Sequence, residues 1–245
     1  MTKNVPADRR VGLSDLLEDL FGLSLRGLAT MWAMLANPKP AFAAARLPDW
    51  RDRNFTPSIR LVLSLLALLT AIRFLWTGEN SLMYGSTLDA LKAAGAANSD
   101  ELAREQTEQI LDNFVWIYPI AFLTFLGIIT AITPVWGKGT SIATRIRLGF
   151  LAIIPSVFLS VLMTVSVGFL ADDMLSWMMI APILLGWILD FATPLRGGIA
   201  GASTGVRLGK AALFATGTFI GGMAANLGAF IGAQFWIDWS AALPF

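Results

Sequence analysis

Long apolar runs alternate with short polar ones along most of this chain, and the runs are of membrane length. About 20 consecutive apolar residues cross the ~30 Å hydrocarbon core of a bilayer. Five runs approach or exceed that length, at about 58–77, 113–135, 148–171, 174–193 and 211–237. The pattern predicts an all-α fold: a polytopic transmembrane bundle of five spans over residues 59–245, with an outer helical loop at 78–112. Residues 1–58 are too polar to span. There Leu13, Leu16, Leu17, Leu20, Phe21, Leu25, Leu28, Met31, Trp32 and Leu35 recur at helical spacing, with Asp15, Glu18, Asp19 and Arg26 elsewhere on the wheel. That spacing predicts an N-terminal amphipathic helix, lying in the membrane interface or packed on the cytosolic ends of the spans. Asn37-Pro38-Lys39-Pro40 stops it, and a short helix over 41–47 follows.

The last run organises the expected bundle. Gly217, Gly221, Ala225, Gly228 and Gly232 fall at steps of four, four, three and four, which puts them in one stripe along a helix. Glycine inside a helix costs about 0.8–1 kcal/mol against alanine. In lipid a stripe of small residues lets a second backbone approach closely, so these five form an expected helix-packing interface. Asn226 lies near the middle of the same run, with Gln234 two turns on. An amide in lipid is expected to bond across to another helix, which makes Asn226 a candidate intramembrane polar contact; a ligand contact is the alternative.

Between the first and second runs the chain turns polar. Asn98 and Glu101 have capping-box spacing, and Ser99 to Asp112 reads as a helix entering the second span. Glu101, Glu105, Glu108 and Asp112 share one of its faces. Oxygen ligands so arranged suit a divalent cation, but a solvated acidic face accounts for them with less, and no metal site is assigned. The second, third and fourth runs carry Pro119, Pro155 and Pro182, which predict kinks. Asp190 is the one acid inside an apolar run, and its closeness in sequence to Arg196 predicts an ion pair near the helix end.

Composition narrows the chemistry. The chain has 245 residues, of which 56% are hydrophobic and 14% charged, against ~25% charged in a soluble domain. It contains neither cysteine nor histidine. Disulfides, thiolate metal sites and Ser–His or Cys–His nucleophiles are thereby excluded. Asp15, Glu18 and Asp19 interrupt the first apolar stretch, so it does not read as a signal peptide. The glycines between Pro194 and Lys210 invite a test for a phosphate-binding loop. The motif fails, because Thr204 stands where its first glycine belongs and Ala211 replaces the hydroxyl. A flexible basic loop beside anionic headgroups is expected there instead.

Charge sets the expected orientation. Lys138, Arg145 and Arg147 mark one connection, and Arg196, Arg207 and Lys210 another, on the same side as the basic N-terminal segment. The alternate connections hold the acidic stretch 79–112 and the pair Asp172 and Asp173. Positive residues mark the cytoplasm, so the N-terminus is expected inside and the C-terminus in the periplasm of a bacterial inner membrane. Trp76, Trp116, Trp177, Trp236 and Trp239 then fall at one interface.

Residues Leu35 to Phe42 and Phe55 to Leu61, with a proline before each helix, resemble the entry to the Yip-like (Ypt-interacting) membrane proteins and their uncharacterised bacterial relatives. The resemblance implies an amphipathic lead-in and about five spans. It assigns no site residue. The cysteine zinc ribbon that opens many bacterial relatives is absent.

The expected function is non-catalytic. It is that of an accessory, scaffold or assembly subunit packed through the Gly-rich fifth helix against other membrane proteins or a larger membrane complex, in contact with lipids. No cofactor and no nucleic acid enters the expectation. The alternative is a small transporter or channel acting as an oligomer.

Overall fold

The computed structural model describes residues 25–47, 55–75, 82–95, 99–167 and 172–242. Among these residues all regular structure is helical: α1 (Leu25–Ala36), α2 (Lys39–Ala45), α3 (Ser58–Leu75), α4 (Leu82–Ala93), α5 (Asp100–Ile132), α6 (Ile142–Ala152), α7 (Ile154–Val167), α8 (Asp172–Gly197) and α9 (Thr204–Ala242). Three described stretches are long and apolar enough to cross a membrane: Asp100–Ile132, Ile142–Ser166 and Thr204–Trp239. These correspond to the second, third and fifth expected spans. The first is represented by α3, which is apolar over the shorter length Ser58–Ile72. The fourth run lies within α8, 26 residues long.

Local chemistry explains where the helices begin. Ser99 caps α5 by accepting the amide of Leu102 at 3.2 Å, so the cap is Ser99; the expected capping residue, Asn98, lies outside the described residues. The acidic segment and the second span form one 33-residue helix that passes through Pro119 without a break. Ser141 caps α6 in the same way, accepting from Thr144 at 3.2 Å. The third span consequently starts at Ile142, upstream of the expected 148. Its hydrogen-bond ladder is interrupted at Ile153, two residues before Pro155, which has no amide to continue it. Between α5 and α6, Gly137 and Gly139 take φ of 110° and 79°, the left-handed region that glycine enters without steric cost.

Two connections differ from expectation. Helix α9 begins at Thr204, seven residues before the apolar run, and α8 continues through Pro182 and Pro194 to Gly197. The Gly-rich connection therefore shrinks to residues 198–203, with Arg207 and Lys210 in the first turns of α9. Helix α4 is an element the hydropathy pattern did not mark, since Leu82–Ala93 is neither apolar enough nor periodic enough to stand out.

Helices α5 and α9 pack along each other for most of their length, with α3, α7 and α8 completing the bundle. At the end carrying Arg46, Arg145 and Arg196, Phe42, Trp136 and Phe214 form a buried aromatic cluster. Of the expected amphipathic helix the structure describes only the part in α1; residues 13–24 lie outside the described residues. Met31 and Met34 of α1 are buried, while Leu28 and Trp32 are exposed. This part of the lead-in packs on the bundle. The backbone amide of Thr56 donates to Thr30 Oγ1 at 2.9 Å, and Ser58 Oγ donates to the Arg147 carbonyl at 2.8 Å, which docks the entry to α3.

Candidate functional site

The small residues of α9 face α5. A Cβ added at Gly217 would lie 3.2 Å from Ile129, and one at Gly221 would lie 3.1 Å from Leu126 and 3.2 Å from Ile129. At Gly228 the neighbour is Phe125 at 3.1 Å, and at Gly232 it is Ile117 at 3.3 Å. Ala225 is fully buried. The stripe lies against a helix of its own chain, which leaves the opposite face of α9 as the free surface.

Asn226 is on that opposite face. Its amide nitrogen donates to the Gly222 carbonyl at 2.9 Å, one turn back on the same helix. The expected bond to a second helix is not made among the described residues, because the side chain is exposed on the face turned away from the glycine stripe. Gln234 likewise stays on its own helix and donates to Asp238 at 3.0 Å.

The polar centre of the bundle is Asp190, where charge and burial coincide. Its side chain is 8% exposed, at the meeting of α7, α8 and α9. Oδ1 accepts from Ser156 Oγ at 2.6 Å and Oδ2 from Thr218 Oγ1 at 2.8 Å. The expected ion pair with Arg196 is absent. Arg196 turns to the end of α1, where it donates to the carbonyls of Leu35, at 2.7 Å, and Ala36. A cavity of ≈ 100 Å³ lies beside the carboxyl, with walls from α3, α5, α7, α8 and α9. Tyr118, Ser160 and Gly186 line it together with Leu66, Phe122 and Val157. A wider cleft of ≈ 470 Å³ between α4, α5 and α9 is bordered by Ile110, Phe230 and Gln234.

Three further arginines at the basic end also reach backbone carbonyls. Arg46 Nη2 donates to Trp136 at 3.2 Å and Gly198 at 3.0 Å, in the connections that follow α5 and α8. Arg145 Nη1 reaches Ala131 at 3.2 Å and Arg207 Nη2 reaches Leu195 at 2.8 Å, in the last turns of α5 and α8, whose negative ends a cation stabilises. Lys210 donates to Ala200 at 2.6 Å. The expected flexible loop is a packed one here, since a Cβ at Gly198 would stand 2.8 Å from both Phe42 and Trp136. At the other end Glu101, Glu105, Glu108 and Asp112 are exposed along α5, with Gln109 donating to Glu105 at 3.4 Å.

Trp116, Trp236 and Trp239 are exposed, and the last two rings stand 5.4 Å apart. Trp76 and the side chain of Trp177 lie outside the described residues. Comparison of the chain with family models, with curated proteins and with solved structures gave no match.

Proposed function

We propose that this chain is a five-span protein of a bacterial inner membrane that works by binding, as an accessory, scaffold or assembly subunit of a membrane complex. The spans are α3, α5, α6 with α7, α8, and α9. The separation of bases from acids supports a cytoplasmic N-terminus and a periplasmic C-terminus. The observation that carries the association is the exposure of Asn226 on a stretch of α9 whose other exposed residues, Phe219, Ile220, Met223, Leu227 and Ile231, are apolar. In lipid an amide that bonds only its own helix leaves its oxygen unsatisfied, and polar side chains in membranes serve to hold helices together. A Cβ at Gly222, one turn away, would meet nothing within 4 Å, so a second backbone has room to approach there. The occupant is a transmembrane helix of a partner protein, docked on the outer face of α9 instead of on its glycine stripe.

The test is site-specific photocrosslinking in native membranes from Met223 and Leu227, with and without Asn226→Leu. Adducts with one partner protein that disappear in Asn226→Leu are expected, with membrane insertion unchanged. No adduct, or adducts indifferent to the substitution, would contradict the reading. An adduct between two copies of the chain would instead give this face to self-association. The second reading, a small transporter acting as an oligomer, is favoured by one observation, the carboxyl and cavity at Asp190.

A further inference from the structure

We propose that Asp190, with Ser156 and Thr218, forms a proton-binding site inside the bundle that exchanges with water through the adjoining cavity. The inference goes beyond the association reading and rests on a different surface, because Asp190 faces the centre of the bundle and Asn226 its outside.

Among the described residues no Lys or Arg lines the cavity, and its other titratable group is Tyr118. α3 contributes Leu66 and Leu69; α7 and α9 add hydroxyls near the carboxyl. A charge inside a membrane protein is costly unless it is paired, and intramembrane acids mark ion and proton pathways. A single positive charge delivered to the carboxyl removes that cost.

The spacing of the oxygens bears on the size of the charge carrier. Both hydroxyls stand at direct hydrogen-bond distance from the carboxyl, 2.6 and 2.8 Å, the separation expected of O–H donors to a carboxylate. A hydrogen fits between oxygens that close, whereas a metal ion would have to sit to one side of them and turn both hydroxyl protons away.

Ser156 Oγ also stands 2.8 Å from the Ile153 carbonyl, and Thr218 Oγ1 stands 3.0 Å from that of Ala215. Each hydroxyl has one proton and two acceptors within reach. With the carboxylate charged, both protons point at it. When hydronium in the cavity gives a proton to Oδ1 and leaves as water, the new O–H donates to Ser156 Oγ, whose own proton rotates to the Ile153 carbonyl. One proton enters, none leaves, and no heavy atom has to move. The site is built for both states.

Access follows from the cavity, which has room for several waters at ~30 Å³ each. Ser160 and Thr164 continue the hydroxyl row of α7 beyond Ser156 at steps of four, each donating to the carbonyl four residues back, at 3.0 and 2.8 Å. At 1.5 Å per residue the row extends the polar face by about 12 Å from Ser156.

The experiment is infrared difference spectroscopy of the purified full chain, titrated with pH in H₂O and in D₂O, with sodium replaced by choline in a parallel series. A carboxylic-acid carbonyl band that titrates, shifts promptly in D₂O, disappears in Asp190→Asn and moves in frequency in Asp190→Glu is expected. The Glu variant keeps the assignment testable if the Asn variant does not fold. Ser156→Ala should displace the pH midpoint of the band, which a merely structural carboxyl would not show. A band that persists unchanged in Asp190→Asn or in Asp190→Glu would overturn the proposal, as would one that does not exchange in D₂O. A midpoint that follows sodium concentration would overturn it too, and would assign the carboxyl to a metal cation.

Discussion

Gly149 lies directly beneath Thr130: a Cβ at 149 would sit 2.2 Å from Thr130 Cγ2 and 2.4 Å from its Cβ. Both residues are buried, and their contact fixes how closely α6 crosses the end of α5. Gly149→Ala must therefore push the helices apart. Overpacking of this kind costs typically 1–3 kcal/mol. Thermal unfolding in detergent should show the loss, and adding Thr130→Gly in the same chain should recover part of it. A Gly149→Ala protein as stable as the parent would contradict the contact.

The two faces of α9 should respond in opposite ways to added bulk. Gly221→Leu meets Leu126 and Ile129 of α5, so a loss of about 1–3 kcal/mol is expected. Gly222→Ala projects where nothing stands within 4 Å, and alanine restricts the unfolded chain, so a neutral change or a gain up to ~1 kcal/mol is expected. Unfolding of both variants in one detergent reads the difference. Equal destabilisation would mean that the stripe does not face α5.

Arg196 holds α1 by its last carbonyls. Arg196→Ala should release that end at a cost of about 0.3–1 kcal/mol, the ordinary worth of a cation at a helix C-terminus. Hydrogen exchange would read this as faster amide exchange in α1, with α5 and α9 unchanged. Unaltered exchange in α1 would show that Met31 and Met34 hold the helix without the arginine.

The apolar runs were legible because hydropathy acts over some twenty residues at once, and α5, α6 with α7, and α9 follow from it. The stripe of α9 was legible as a set of small residues on one face. What covers it was not, because Ile117, Phe125, Leu126 and Ile129 are apolar residues of the kind that also face lipid. Asp190 was misassigned for a geometric reason. Six positions along a helix amount to about 600° of rotation, so Asp190 and Arg196 are near in sequence but about 120° apart around α8. Its actual partners, Ser156 and Thr218, lie 34 and 28 residues away. Pro155 pointed to a disturbance in the third span, and the break falls two residues before it; the early start of α6 was hidden because the Ser141 cap lies in a polar stretch outside the apolar run. Gly149 carried no signal, since one glycine in an apolar run does not reveal what crosses it.

The five-span arrangement is tested most directly by labelling single cysteines, placed in a chain that has none of its own, with an impermeant thiol reagent in intact cells. The positions are Ser99 before α5, Gly139 between α5 and α6, Ser203 before α9, and Ala242 at the end of α9. Labelling at Ser99 and Ala242, and protection at Gly139 and Ser203 until the membrane is opened, is the predicted result. Labelling at Ser203 in intact cells would place the basic end of the bundle outside and contradict the account.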